Sequence, residues 1–299
     1  MAWRLLWLQT RPAQAEELEQ LLLDHGALSV TLDDAEDQQL FQIEPGATPL
    51  WDRVRLSGMF DDSVDLKGLV ALLYERQSKD LDPAIEIQSL ADQDWEKSWM
   101  DRFHPMQFGK RLWICPSWSS PPEPGAVNIM LDPGLAFGTG THPTTAMCLE
   151  WLDRQNLEGK LVVDYGCGSG VLAIAAALLG AKCVLGVDND PQAITASEAN
   201  RNMNQLDESR LAVCLPENFP PQPSLLPGDI LLANILAGPL EELAPAFAKL
   251  VVPGGDLVLS GILPEQAPSL LDCYQRWFQM SAPLERDGWT RLCGTRRYS

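Results

Sequence analysis

The stretch Leu161-Val162-Val163-Asp164-Tyr165-Gly166-Cys167-Gly168-Ser169-Gly170 decides how this chain folds. The apolar residues ahead of the acid read as a buried strand. The run from Val171 to Leu179, closed by Gly180, reads as a helix. Cys183-Val184-Leu185-Gly186-Val187 is a second apolar strand, and Asp188 ends it eighteen residues after Gly170. Strand, glycine turn, helix, strand and acid form one nucleotide-binding half of a doubly wound sheet.

The glycine spacing narrows the nucleotide. Gly166, Gly168 and Gly170 form G-x-G-x-G. A dinucleotide fingerprint needs its third glycine one position later, where a helix N-terminus meets a pyrophosphate. That position holds Val171, which is β-branched and speaks against a nicotinamide oxidoreductase. S-adenosylmethionine has no phosphate, and its methionine part needs only a backbone that can approach closely. A carboxylate at Asp188 can accept both ribose hydroxyls. The turn is therefore expected to hold S-adenosylmethionine, with Cys167 a small filler rather than a nucleophile.

Outward from the turn, strands are expected over 161–165, 182–187, 211–215, 229–235 and 256–262. Helices are expected over 171–179, 191–203, 239–250 and 265–278, and a closing strand pair over 280–298. This is an α/β doubly wound parallel sheet with an antiparallel edge. Toward the N-terminus, strands at 3–10, 28–32, 54–60 and 84–90 alternate with helices at 16–25 and 66–74. That β-α-β-β-α-β order is ferredoxin-like. The expected division is a ferredoxin-like α+β recognition domain over 1–92, a linker over 93–126 and the nucleotide-binding domain over 127–299. In the linker, Trp95, Trp99, Met100 and Phe103 recur at helical intervals, so Asp94 to Phe108 reads as a joining helix. Leu112 to Trp118 reads as a strand.

The net charge is −19, from 41 acids against 22 bases. Residues 1–92 carry 18 of the acids and 7 of the bases. Such a surface repels a phosphate backbone and suits a basic protein partner, so direct nucleic-acid binding is not expected. Seven cysteines without a C-x-x-C pair and three scattered histidines suggest a reducing compartment and no metal site. Trp3 to Leu8 is short, broken by Arg4 and lacks a cleavage site, and no run reaches the roughly 20 apolar residues of a membrane span. A cytoplasmic protein without a membrane segment is expected.

Two further stretches carry polar groups toward the turn. Leu131 to Thr145 (LDPGLAFGTGTHPTT) combines glycines, an aromatic, threonines and His142. Thr141 is a candidate helix cap with Pro143 in the first turn, which leaves Thr144 and Thr145 to present hydroxyls. His142 suits a base, a hydrogen-bond donor or a loop staple. The second stretch is Asn234 to Pro239 (NILAGP), at the end of an apolar strand where doubly wound folds line their ligand crevice. Asn234 offers both donors and an acceptor there.

At these residues the chain resembles the bacterial methyltransferases that modify large-subunit ribosomal protein eleven, through essentially all of its 299 residues. LDPGLAFGTGTHPTT, DYGCGSG (164–170), DNDPQA (188–193), NILAGP, WEKSWMDRFHPMQF (95–108) and LWICPSW (112–118) carry the resemblance. It implies a class I S-adenosylmethionine-dependent methyltransferase domain and an N-terminal domain that docks the ribosomal protein, free or before assembly. It also implies methylation of lysine side chains and the N-terminal amine. Thr145, Gly166, Asp188 and Asn234 carry over as cofactor contacts, and Gly168 shares their turn; Asn234 and the Phe137–Thr145 loop are expected to orient amine and cofactor. Where amine and amide methyltransferases have Asn-Pro-Pro-Tyr, this chain has Asn-Ile-Leu-Ala, without the aromatic. Another protein or a small amine is the alternative acceptor. A binding module without activity is disfavoured by the presence of both loops.

Overall fold

The computed structural model describes residues 3–35, 51–76, 85–90, 103–132, 140, 142–219 and 226–298. The chain forms two compact units, residues 1–99 and 100–299.

The first unit contains β1 (Trp3–Thr10), α1 (Pro12–Asp24), β2 (Ser29–Asp34), β3 (Val54–Asp61), α2 (Leu66–Arg76) and β4 (Glu86–Leu90). Its sheet runs β2-β3-β1-β4, and every pairing is antiparallel. This is the ferredoxin-like arrangement expected from the element order. Alternation along the strands puts Leu6, Leu8, Val54, Leu56 and Phe60 on one face. There they pack with Ala15, Leu18 and Leu22 of α1 and with Leu66, Leu69 and Leu73 of α2.

The second unit begins with a three-stranded sheet of β5 (Met106–Phe108), β6 (Leu112–Cys115) and β7 (Val127–Met130). Residues 91–102 of the expected joining helix lie outside the described residues. The helix does not extend to Phe108, because Met106–Phe108 pairs as a strand with β6. β6 itself stops at Cys115 rather than Trp118. Pro116 has no N–H for the ladder, and Ser117 turns to donate through its backbone N and its Oγ to the Asp132 carboxylate, at 2.7 and 2.8 Å. Leu112, Ile114 and Ile129 share one core with the nucleotide-binding sheet, so the expected linker belongs in part to that core.

The large sheet comprises β8 (Leu161–Tyr165), β9 (Cys183–Val187), β10 (Leu211–Cys214), β11 (Gly228–Asn234), β12 (Val251–Ile262), β13 (Phe278–Met280), β14 (Leu284–Arg286) and β15 (Trp289–Arg296). Its order is β10-β9-β8-β11-β12-β15-β13, with β14 paired to β15. The ladders from β10 to β12 are parallel, and β15 is antiparallel to both neighbours. The helices are α3 (Pro143–Asp153), α4 (Val171–Leu178), α5 (Pro191–Met203), α6 (Ala237–Leu250) and α7 (Ala267–Tyr274).

Side-chain alternation divides the core. Val162, Ile230, Leu232 and Val258 pack with α3 and α4, whereas Val163, Leu231, Ala233, Leu257 and Leu259 pack with α6 and α7. Ala173, Ala175, Ala176 and Ala177 are buried, and their small side chains let α4 lie close to the sheet. The last helix is shorter than the expected 265–278. It ends at Tyr274, whose hydroxyl donates to the Leu240 carbonyl at 2.6 Å, and Phe278 already belongs to β13. Strand order reverses between β8 and β11, which places the ligand crevice outside their carboxyl ends. Asp164 and Asn234 stand at those two ends.

Candidate active site

The turn after β8 is shaped by backbone geometry. Gly166, Gly168 and Gly170 have φ of +81°, +55° and +78°, a region that L side chains rarely adopt. The amides of Gly166 and Cys167 both donate to the Val187 carbonyl, at 2.7 and 3.0 Å, so the turn is tied to the end of β9. A Cβ on Gly166 would lie 2.2 Å from Ile235 Cγ2, so only glycine lets the turn meet the β11 loop. Asp188 binds back: its Oδ2 accepts from the Gly168 amide at 2.8 Å, and its Oδ1 accepts from the Asp190 amide at 3.0 Å. Each carboxylate oxygen has a further lone pair, so Asp188 keeps acceptor capacity toward the crevice.

Two residues missed in the sequence hold the turn from α5. Ser197 Oγ donates to the Gly168 carbonyl at 2.9 Å, and Asn200 Nδ2 donates to the Ser169 carbonyl at 2.8 Å. Their spacing of three puts both on one helix face, the only sequence signal that could have found them. Cys167 is buried in the same turn and its Sγ lies 3.6 Å from Ser197 Oγ. Burial pushes its thiol well above the ordinary range, and the nearby Asp164 adds to that.

Asp164 is fully buried. Its Oδ2 accepts from the Ala173 amide in the first turn of α4 at 3.0 Å, and its Oδ1 has no hydrogen-bond partner among the described residues. Burial pushes this carboxyl up to about 7, partly opposed by the Ala173 amide and reinforced by Asp188.

The second loop enters the site through α3. Thr141 and residues 133–139 lie outside the described residues. The helix cap is His142, not Thr141: with φ −71° and ψ 137°, its Nδ1 accepts from the Thr144 amide at 3.4 Å and sits 2.7 Å from Thr144 Oγ1. The ring packs edge-on against Trp289 of β15, with centroids 4.9 Å apart. Burial holds the imidazole below its usual pKa, which favours the neutral ring that a cap needs. His142 is therefore a staple, and the Thr144 hydroxyl is taken up by it rather than presented to a ligand.

Thr145 does reach the crevice. It is buried, and its Oγ1 accepts from Asn234 Nδ2 at 3.2 Å across 89 residues of sequence. Asn234 Oδ1 is buried with no hydrogen-bond partner among the described residues. Burying an unpaired amide oxygen costs about 1–3 kcal/mol, so this atom suits a ligand N–H. Thr145, Gly166, Gly168, Asp188 and Asn234 are thus tied together by two hydrogen bonds and one close packing contact.

Across residues 2–297 the chain matches the model of the family described as Ribosomal protein L11 methyltransferase (PrmA). The chain belongs to the ribosomal protein L11 methyltransferase family. It is 54% identical over 295 residues to the Ribosomal protein L11 methyltransferase of Pseudomonas paraeruginosa, covering 97% of this chain and 99% of that protein. Identity to the Azotobacter vinelandii protein of the same name is 52% over 297 residues, covering 99% of this chain and 100% of that one. The solved structure of ribosomal protein L11 methylase from Lactobacillus delbrueckii subsp. bulgaricus is 32% identical with a TM-score of 0.58. The match covers 66% of this chain and all of that one.

A member of this L11 methyltransferase family uses S-adenosylmethionine, and the residues here fit that cofactor. Asp188 retains acceptor capacity for a ribose, and the buried Asn234 Oδ1 is an acceptor without a partner among the described residues, beside a turn whose glycines are packed against Ile235 and Ser197. Among the described residues no group of three His, Cys, Asp or Glu side chains could hold a metal ion, and no helix is long and apolar enough to cross a membrane.

Proposed function

We infer that this chain transfers methyl groups to amines of ribosomal protein L11, at lysine side chains and at the N-terminus. The observation that carries the reading is the Thr145–Asn234 pair, with its unpartnered acceptor beside the glycine turn, in a chain of this family. S-adenosylmethionine supplies a methyl group already activated on a sulfonium, so transfer needs a neutral amine and correct placement rather than a dedicated base. Lysine in water has a pKa of about 10.4, and its neutral form at pH 7 costs about 4.6 kcal/mol. An apolar crevice lowers that cost, and an α-amine starts from a pKa near 8.

Asn234 Oδ1 accepts a hydrogen bond from the incoming N–H, with the amide plane held by Thr145. Thr145, Gly166, Gly168, Asp188 and Asn234 together form the cofactor wall, and Asn234 also orients the acceptor. The ferredoxin-like unit, rich in acids, docks the ribosomal protein before its assembly, in the cytoplasm and without direct nucleic-acid binding. The reading is tested by incubating the protein with labelled S-adenosylmethionine and the separated proteins of the large subunit. Label on L11 at amines is expected. Label confined to another protein or to a small amine would replace this acceptor.

A further inference from the structure

The end of β11 and the two-residue loop that follows it are fixed at Asn234 and Ile235. Asn234 is pinned by Thr145. Ile235 is enclosed by two glycines in the left-handed region: a Cβ on Gly166 (φ +81°) would lie 2.2 Å from its Cγ2, and one on Gly261 (φ +82°) would lie 2.5 Å from its carbonyl oxygen. Leu236 follows with φ −64° and ψ 154°, as the N-cap of α6, and it makes no capping bond. Ser, Thr, Asp or Asn would satisfy a free helix amide at that position. The chain instead has a leucine that is 49% exposed, the most exposed large aliphatic side chain of the described second unit. The neighbouring strand ends are covered, with Val187 and Ile262 both buried. An apolar side chain that gives up a cap, keeps its surface in water and stands on a rigid loop two residues past Asn234 is placed to meet an acceptor.

We propose that Leu236 selects lysine over α-amine acceptors by packing against the aliphatic stem of the lysine side chain. The inference rests on the acceptor reading above. A lysine presents four methylenes between its backbone and its amine. Stacking part of that stem on Leu236 removes apolar surface from water, and it also strips water from the amine, which favours the neutral nucleophile. An N-terminal α-amine has no such stem, so it gains nothing from this contact. Leu236 thus supplies part of the substrate wall.

The test is an internal competition on intact ribosomal protein L11. Wild type, Leu236→Ser and Leu236→Met are each run at limiting turnover with labelled S-adenosylmethionine, and methyl groups are located by mass spectrometry. Leu236→Ser is expected to lower the ratio of lysine to α-amine methylation roughly tenfold, the effect of about two methylenes left in water. Leu236→Met is expected to restore the ratio to within about twofold, since it returns a similar apolar volume. S-adenosylhomocysteine affinity by calorimetry is expected to stay unchanged in both variants. Equal loss at both amines, or an unchanged ratio, would assign Leu236 a merely structural role and overturn the proposal. If wild type labels no amine of L11, the acceptor reading fails and this inference falls with it; a labelled L11 with an unaltered ratio overturns the inference alone.

Discussion

The two walls of the crevice are built by different means. The turn at 166–170 is backbone: three glycines with positive φ, two amides on one carbonyl of β9, and a carboxylate that binds an amide within twenty residues. The strand end at 234–236 is side chain: an amide held by a threonine 89 residues away and an isoleucine enclosed by Gly166 of the turn after β8 and Gly261 of β12. Backbone geometry fixes a shape and tolerates no added carbon. Side-chain pairing fixes an orientation and tolerates substitution at a cost in rate. The cofactor wall is therefore expected to fail by losing affinity, and the acceptor wall by losing turnover.

Gly166→Ala is the severest test of that contrast. It places a Cβ against Ile235 at a positive φ, and a loss of at least about 100-fold in S-adenosylhomocysteine affinity by calorimetry is expected, with lowered thermal stability. Near-normal affinity would mean that the turn is more compliant than its contacts indicate. Asn234 contributes to both walls, so Asn234→Ala should lower kcat about 100-fold while cofactor binding weakens by much less than in Gly166→Ala. If affinity and kcat fall together, the division between the walls is too sharp.

Asp188→Ala removes a charged acceptor from the Gly168 and Asp190 amides, and the cofactor Kd should rise about 30-fold; a Kd within twofold of wild type would show the carboxylate to be dispensable. The smallest effect belongs to the staple. His142→Ala should cost about 1 kcal/mol in urea unfolding at pH 8. Because burial lowers the imidazole pKa below 6.5 in the folded chain, the unfolded chain binds more protons. The contribution is thus complete above pH 6.5 and is lost as pH falls through the folded pKa, so the gap between wild type and variant should narrow as pH falls below 6.5. A gap independent of pH would place the cap elsewhere.

The same contrast explains what could be read from the sequence. Local features were legible. The glycine turn, Asp188 and the alternating strands follow from spacing within about thirty residues, and they led to the sheet order and to the ferredoxin-like unit. Contacts set by distant packing were not. Thr141 looked like the cap because threonine is a better cap than histidine in isolation, but Trp289, far along the chain, holds the His142 ring in place. The helix predicted to Phe278 stops at Tyr274 because Phe278 pairs with Arg296 in the sheet edge. The bidentate pair of Arg286 with Glu150, at 2.7 and 2.8 Å, fastens β14 to α3 across 136 residues and leaves no local trace.

The thiol of Cys167 has a chemical consequence. A thiolate is the reactive form of cysteine, and this thiol sits in the glycine turn proposed to hold an alkylating cofactor. Burial and the negative neighbourhood of Asp164 and Asp188 keep it as a thiol. The same side chain fills the space beside β9, where a Cβ added to Gly186 would lie only 3.3 Å from the Cys167 sulfur.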